Sequence, residues 1–235
     1  EQILASHPDV VALDERQVLT EATLDLFSSD AKLDRLASIG AEAARTYREA
    51  YWRRVGRFCP PVAGKVFIDK HPLNTDNLGL IAKLFPEAKV VFAVRDPRDV
   101  VLSCFRRRFR MNPAMYELCT LVGAATFYDA VMRLAEQYRA KLALPFHEMR
   151  YERLVEDLRA ETESACAFIG LDWNDAMLDF RDTARSRQVR TPSARQIERG
   201  LYAQGVGQWR RYASELAPIL PVLAPWVDRF SYPAD

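Results

Sequence analysis

The chain has 235 residues, 49% of them hydrophobic, and a formal net charge of +1. That length suffices to bury the core of a single α/β domain with helical additions, and the near-neutral balance excludes a general nucleic-acid binder, which would carry a clear basic excess. Four cysteines (Cys59, Cys104, Cys119, Cys166) and three histidines (His7, His71, His147) lie scattered without ligand or redox spacing, so reduced thiols and no bound metal are expected.

Residues 1–6 read as the end of a helix closed by Ser6, His7 and Pro8, because proline disfavours helix in the residue before it. Val10–Leu13 is a short apolar run followed by two carboxylates, Asp14 and Glu15, which at such a place are most often caps or surface charge. From Asp30 to Phe58, Leu33, Leu36, Ile39, Ala43, Tyr47 and Ala50 recur every three or four residues and predict one long amphipathic helix. After the turn-rich CPPVAG, Val66, Phe67 and Ile68 predict a buried strand that ends at Asp69, Lys70, His71 and Pro72, and a helix follows from about Asn74 to Leu84.

The next stretch, KVVFAVRDPRDVVLSCFRR, is the most informative. Val90–Val94 predicts a strand buried on both faces, which stops at Arg95. A helix then starts: Asp96 suits its cap, and Pro97 suits the first helical position, where a missing N–H costs nothing. Arg95 therefore falls between a strand's carboxyl end and a helix amino terminus, where open α/β sheets bind phosphorylated ligands. Ser103 and Arg107 are spaced to share one face of that helix, so a hydroxyl and a second guanidinium can join Arg95 on one anion. Lys70 and Arg95, each at a strand end and joined through a helix, predict a right-handed βαβ unit with both cations facing one crevice. Singly, such residues are ordinary surface charges; on two matching strand ends they are less readily chance.

Arg106, Arg107, Arg108 and Arg110 form a basic patch, most of which is expected to be solvated or ion-paired. A long helix is predicted from about Met115 to Leu142, with Phe127, Val131, Leu134 and Tyr138 as its buried stripe. Pro145–Tyr151 reads as a third strand, and Glu152–Ile169 as an amphipathic helix ended by Gly170, so Tyr151 lies at another strand-to-helix junction. Residues 184–208 lack helical periodicity and are long enough to cover a site. Trp209–Trp226 returns to helix, broken at Pro218 and Pro221. The fold class expected is α/β: one domain over 1–235, with a mostly parallel central sheet flanked by helices.

Three separated motifs, KVFIDKHPLNTDNLGLIAKLFPEAKVVFAVRDPRDVVLS, MRYERLVEDL and TPSARQIERGLYAQGVGQWRRY, resemble the sulfotransferases that use 3′-phosphoadenosine-5′-phosphosulfate (PAPS). The nearest branches are the tyrosylprotein sulfotransferases and the bacterial domains that often follow tetratricopeptide repeats, and the resemblance covers most of the chain. It implies a P-loop nucleotide-kinase-like fold, PAPS as co-substrate, adenosine 3′,5′-bisphosphate as product, and no metal. It further implies that Arg95 and Ser103 hold the 3′-phosphate, that Arg107 and Tyr151 are further cofactor contacts, and that Ser193, with Gln196 and Arg199 more loosely, lies in a loop over the nucleotide. Lys70 matches the lysine that stabilises the transferring sulfonate and leaving phosphate. Glu15 matches the general base, with Asp14 the neighbouring alternative.

In that family a glycine- and serine-containing loop after the first strand wraps the 5′-phosphosulfate. It would lie immediately before EQILASHP, so the first strand and that loop are expected upstream of Glu1. Gln208 stands where relatives usually carry Lys or Arg, and Gly200 where proline is common. The residue types suit the chemistry: sulfonyl transfer needs in-line oxygens and cations on the transferring group, and a hydroxyl acceptor needs a base within about 3 Å.

The acceptor expected is a hydroxyl on a peptide, a glycan or a small phenol, with protein tyrosine favoured only by likeness. Upstream tetratricopeptide repeats, a homodimer and a bacterial cytoplasmic location accord with the resemblance, and no apolar run reaches the roughly 18 residues of a bilayer span. A P-loop nucleotide phosphotransferase is the competing enzyme class; its GxxxxGK[ST] motif and magnesium carboxylates are not visible in these residues. A catalytically inactive nucleotide-binding or partner-docking domain is the non-enzyme alternative, against which Glu15, Lys70, Arg95 and Ser103 together count.

Overall fold

A computed structural model describes residues 1–27, 32–109, 111–186, 200–201 and 203–234, with the side chains of Lys32, Leu33 and Ser186 left aside. Among these residues are four strands: β1 (Val10–Asp14), β2 (Val66–Lys70), β3 (Val90–Val94) and β4 (Phe146–Arg150). β1 pairs with β2 and β3 with β4, both in parallel, as two separate two-stranded sheets. The βαβ unit expected of β2 and β3 is therefore not formed as a hydrogen-bonded pair. Order along the chain is a weak guide to which strand edges meet, and here each ladder goes to a partner more than fifty residues away. With one paired edge, β3 is not buried on both faces: Val90, Val91 and Phe92 are half-buried, Ala93 is exposed and Val94 is buried.

The helices form where their caps and periodicity allow. Residues 1–6 contribute only a 3₁₀ turn, Leu4–Ser6, closed at His7. After α1 (Thr20–Leu26), the single helix expected from Asp30 to Phe58 is two, α2 (Lys32–Ser38) and α3 (Ala41–Val55), with extended Gly40 between them. The break resets the helical phase, so Ala44 rather than Ala43 meets the core. A 3₁₀ turn, Asn74–Asn77, leads into α4 (Leu78–Leu84). α5 (Pro97–Phe105) starts as its sequence dictates: Pro97 opens it and the Asp96 carboxylate accepts the Arg98 N–H at 2.9 Å.

The helix expected over 115–142 is likewise two, α6 (Pro113–Glu117) and α7 (Leu121–Lys141), because Thr120 caps a new start by accepting the Gly123 N–H. The fully buried residues of α7 are Ala124, Ala125, Met132 and Ala135, while Phe127, Val131, Leu134 and Tyr138 are half-buried at its flanks. After β4 come α8 (Tyr151–Glu156) and α9 (Leu158–Ile169), separated at Asp157, which caps α9 through the Ala160 N–H. Gly170 closes α9 at φ +90°, the left-handed cap its sequence predicted. α10 spans Phe180–Ser186. The carboxy-terminal helical region begins with a 3₁₀ turn, Gln208–Tyr212, continues through α11 (Ala213–Leu216) and ends in α12 (Leu220–Arg229), past the expected limit at Trp226.

Four apolar clusters hold these pieces. One packs α1, α3 and α4 against β1 around Leu13, Leu80 and Leu84, and each fully buried leucine contributes about 1.5–3 kcal/mol. A second fills the space between α5, α7 and α12. A third gathers Ile3, Leu4, Cys166 and Met177, with Ile68 of β2 and Met149 of β4 against it, so one core serves both sheets. The last surrounds Phe230 and includes Val94 and Trp226. No helix among the described residues is long and apolar enough to cross a membrane.

Candidate active site

Parallel pairing of β1 and β2 sets Asp14 opposite Lys70, and the Glu15 N–H extends the ladder by donating to the Lys70 carbonyl at 2.8 Å. Glu15 itself turns left-handed at φ +48°, a conformation that costs a non-glycine residue on the order of 1 kcal/mol and recurs at functional sites. The result is a lysine caged by acids. Lys70 Nζ lies 2.7 Å from Asp14 Oδ1, 2.7 Å from Glu15 Oε1 and 3.6 Å from Glu1 Oε2. Burial pulls the pKa of Lys70 down, but the hydrogen bonds to Asp14 and Glu15 outweigh it and hold the group above its ordinary value. The ammonium is thus a fixed charge at neutral pH. Burial raises the pKa of Glu1, whose carboxyl is hydrogen-bonded to that of Asp14.

The same strand end carries groups that sequence reasoning passed over. The Tyr51 hydroxyl of α3 donates to Asp69 Oδ2 at 3.0 Å, and burial pushes the Asp69 carboxyl upward. Asp69 Oδ1 and His71 Nδ1 are buried without a hydrogen-bond partner among the described residues. Only the tertiary contact with α3 reveals the pair; nothing in the sequence singles out Tyr51.

The second sheet presents a matching end. Val94 of β3 stands opposite Arg150 of β4, so Arg95 and Tyr151 leave the sheet side by side. The Arg95 guanidinium lies 5.0 Å from the centroid of the Tyr151 ring, and its Nη2 donates to the Gly205 carbonyl. Its Nε is buried and has no partner among the described residues. A buried guanidinium N–H left unpaired costs free energy until an acceptor reaches it, which suits a group built to receive an anion.

Around Arg95 is a charged framework built on Arg98 and Asp99, which the periodicity of the helix does not single out. Arg98, almost fully buried, grips the Asp96 carboxylate through Nε at 3.0 Å and Nη2 at 2.8 Å. It also donates to the carbonyls of Pro233 and Ala234, and stacks 3.8 Å from the Trp209 ring centroid. Asp99, buried too, accepts the N–H groups of Gly207 at 2.6 Å and Trp209 at 2.8 Å. The signal was present in RDPRD, whose second acid lies in the first helical turn.

The remaining predicted residues divide. Ser103 is half-buried on α5. The helix stops at Phe105, so the four-residue spacing expected to align Arg107 with Ser103 does not run to its end; the Arg107 N–H donates to the Cys104 carbonyl in the turn beyond. Burial raises the pKa of the Cys104 thiol, and the charges of Arg95 and Arg107 both oppose that rise. In the basic patch, Arg106 covers the Tyr212 ring. Ser193, Gln196, Arg199 and Arg110 lie outside the described residues, and so does most of the covering segment; its ends fall in α10 and in the turns at Ala203–Gly205 and Gln208–Tyr212.

Parallel strand pairs flanked by helices, with Lys70 and Arg95 at the carboxyl ends of β2 and β3, define an α/β protein. The chain belongs to the sulfotransferase family, whose profile matches residues 1–175. It is 30% identical over 160 residues to an uncharacterised protein of Aquifex aeolicus, covering 66% of this chain and 20% of that protein. It is 25% identical over 178 residues to protein-tyrosine sulfotransferase 1 of Danio rerio, covering 70% and 47%. With the protein-tyrosine sulfotransferase of Drosophila melanogaster it shares 25% identity over 255 aligned positions, covering 99% and 50%. The chain thus spans half or less of the length of these relatives.

Two solved structures share the fold. The sulfotransferase domain of the Synechococcus PCC 7002 olefin synthase aligns with a TM-score of 0.61 at 23% identity, over 89% of this chain and 81% of that one. The sulfotransferase domain from the curacin biosynthetic pathway aligns with a TM-score of 0.66 at 15% identity, over 99% and 92%.

Proposed function

We propose that this domain moves a sulfonate group from PAPS to an acceptor hydroxyl. The observation that carries the reading is the Arg95 guanidinium at a strand-to-helix junction, beside the Tyr151 ring and with a buried N–H that lacks an acceptor. An anion with an adjoining flat base fits both features: the phosphate oxygen meets the guanidinium and the base has an aromatic neighbour. Arg95 and Ser103 hold the 3′-phosphate in this reading, Arg107 and Tyr151 make further contacts, and Ser193, Gln196 and Arg199 belong to the covering loop.

Lys70 neutralises charge on the transferring sulfonate and on the phosphate oxygen that leaves. Glu15 accepts the acceptor's hydroxyl proton as the new oxygen–sulfur bond forms and the sulfur–phosphate-oxygen bond breaks. The 2.7 Å pairing of Lys70 with Glu15 supports this division of labour, because a base and a cation that serve one transfer must stand within a few ångströms of the same atoms. Protein tyrosine is the acceptor class that the Danio and Drosophila relatives favour. Its phenol, with a pKa of about 10, needs only a modest base.

Calorimetric titration of the full-length protein with adenosine 3′,5′-bisphosphate tests the reading directly. Binding in the micromolar range, weakened at least tenfold by Arg95→Ala and measurably by Ser103→Ala, is expected. Transfer from labelled PAPS to panels of peptides, glycans and phenols then identifies the acceptor. A full-length protein that shows no heat with the nucleotide removes the proposal.

A further inference from the structure

We infer that Asp99 is a positioning residue for Arg95, acting through the backbone of the Gly205–Trp209 turn. The inference rests on the sulfotransferase reading only for the identity of the anion that Arg95 meets.

Asp99 sits in the first turn of α5 and is 1% exposed. Its charge is not needed to cap the helix, since Asp96 already does so. A carboxylate is costly to bury unless its oxygens are matched by donors, and both of these reach across to another segment. Oδ2 takes the Gly207 N–H and Oδ1 the Trp209 N–H, bracketing Gln208. Gly207 turns left-handed there at φ +68°, which glycine adopts without strain.

Two residues before Gly207, the Gly205 carbonyl receives Arg95 Nη2. The guanidinium also rests over the Tyr151 ring. Arg95 is therefore held between an aromatic ring and a carbonyl whose location is set by Asp99, with Nε left over for the anion. Releasing the turn frees the carbonyl, and the guanidinium must then be ordered during binding instead of before it. The turn has an independent hold, because Arg98 stacks on Trp209 while fastened to Asp96. Loss of Asp99 should thus change orientation at Arg95 without unfolding the segment.

Asp99→Asn in the full-length protein is the test. The amide keeps the size but must turn its NH₂ toward one of the two N–H donors. Expected are faster hydrogen exchange at the Gly207 and Trp209 amides, a shifted or broadened Arg95 Nε–H signal in nitrogen-15 spectra, and a roughly tenfold higher Kd for adenosine 3′,5′-bisphosphate. In an Arg95→Lys background the same substitution should change Kd less than twofold, because its effect runs through the arginine.

An unshifted Arg95 signal, or an equal loss of affinity in both backgrounds, overturns the inference and leaves Asp99 a merely structural residue. Gly207→Ala disturbs the same turn from its other side, since a Cβ there comes 2.8 Å from Arg210 Nη1 and the backbone is left-handed. It should reproduce the Arg95 shift, and it decides the matter if Asp99→Asn does not fold. Should the wild-type protein bind none of the nucleotide, the sulfotransferase reading fails, while the exchange and Arg95 signals still decide for or against Asp99.

Discussion

The Lys70 ammonium lies 2.7 Å from a carboxylate oxygen of Glu15, a residue 55 positions earlier in the chain. Parallel register alone brings them near, and the left-handed turn at Glu15 belongs to the same strand end. The two groups form one electrostatic unit, so neither can be altered without changing the other's surroundings.

Glu15→Gln and Lys70→Ala should each lower the rate of transfer from labelled PAPS by about 10²–10⁴ while leaving nucleotide affinity within about threefold. Because the residues act together, the double variant should lose little more than the worse single one. An unchanged rate in Glu15→Gln would reassign the base to Asp14, which stands at the same distance from Lys70.

Arg98 is a structural residue of the site's floor. Removing its side chain strands the Asp96 carboxylate, which is 6% exposed, and frees two carbonyls near the carboxy terminus. Arg98→Ala should therefore cost about 3–5 kcal/mol in urea unfolding. Arg98→Lys should recover only part of that, since an ammonium cannot reproduce the two-pronged grip on Asp96 or the stacking on Trp209.

Asp69 gives a pH signature. Burial lifts its pKa above the ordinary aspartate value, against the opposing pull of Tyr51, His71 and Asn74. An acid shifted upward on folding contributes stability that is full below its unfolded pKa of about 3.9 and is lost as pH rises through the folded value. Asp69→Asn cannot ionise, and its carbonyl can still accept the Tyr51 hydroxyl. Relative to wild type, the variant should gain stability between about pH 4 and neutrality, on the order of 1 kcal/mol, measured by urea unfolding at a series of pH values. A difference that stays flat across that range would contradict the burial argument.

Gly123 is required by a close approach. A Cβ there would clash with the Glu117 carbonyl oxygen and come 2.9 Å from the Thr120 hydroxyl, both parts of the α6–α7 junction. Gly123→Ala should destabilise the domain by about 1–3 kcal/mol despite alanine's better helix propensity, as read from thermal or urea unfolding. A stabilised variant would mean that the junction can open at little cost.

What could be read in the residues was local. The strand Val90–Val94, the Asp96–Pro97 helix start and the Gly170 stop were all predicted in place, because caps and β-branched runs act over a few residues. The ordered motifs fixed the sulfotransferase family before any contact was known. Breaks at Gly40, Thr120 and Asp157 escaped periodicity, since apolar spacing continues across a junction that only a cap interrupts.

Long-range pairing was decided by the tertiary structure alone. β2 and β3 each took a partner other than one another, because edge selection depends on how the whole chain packs. The same holds for the acids around Lys70, the Tyr51–Asp69 hydrogen bond and the clamp of Asp99 on Gly207 and Trp209. Residue type tells which charges exist, but a buried charge persists only where distant segments supply its partners, and that supply is a property of three-dimensional arrangement.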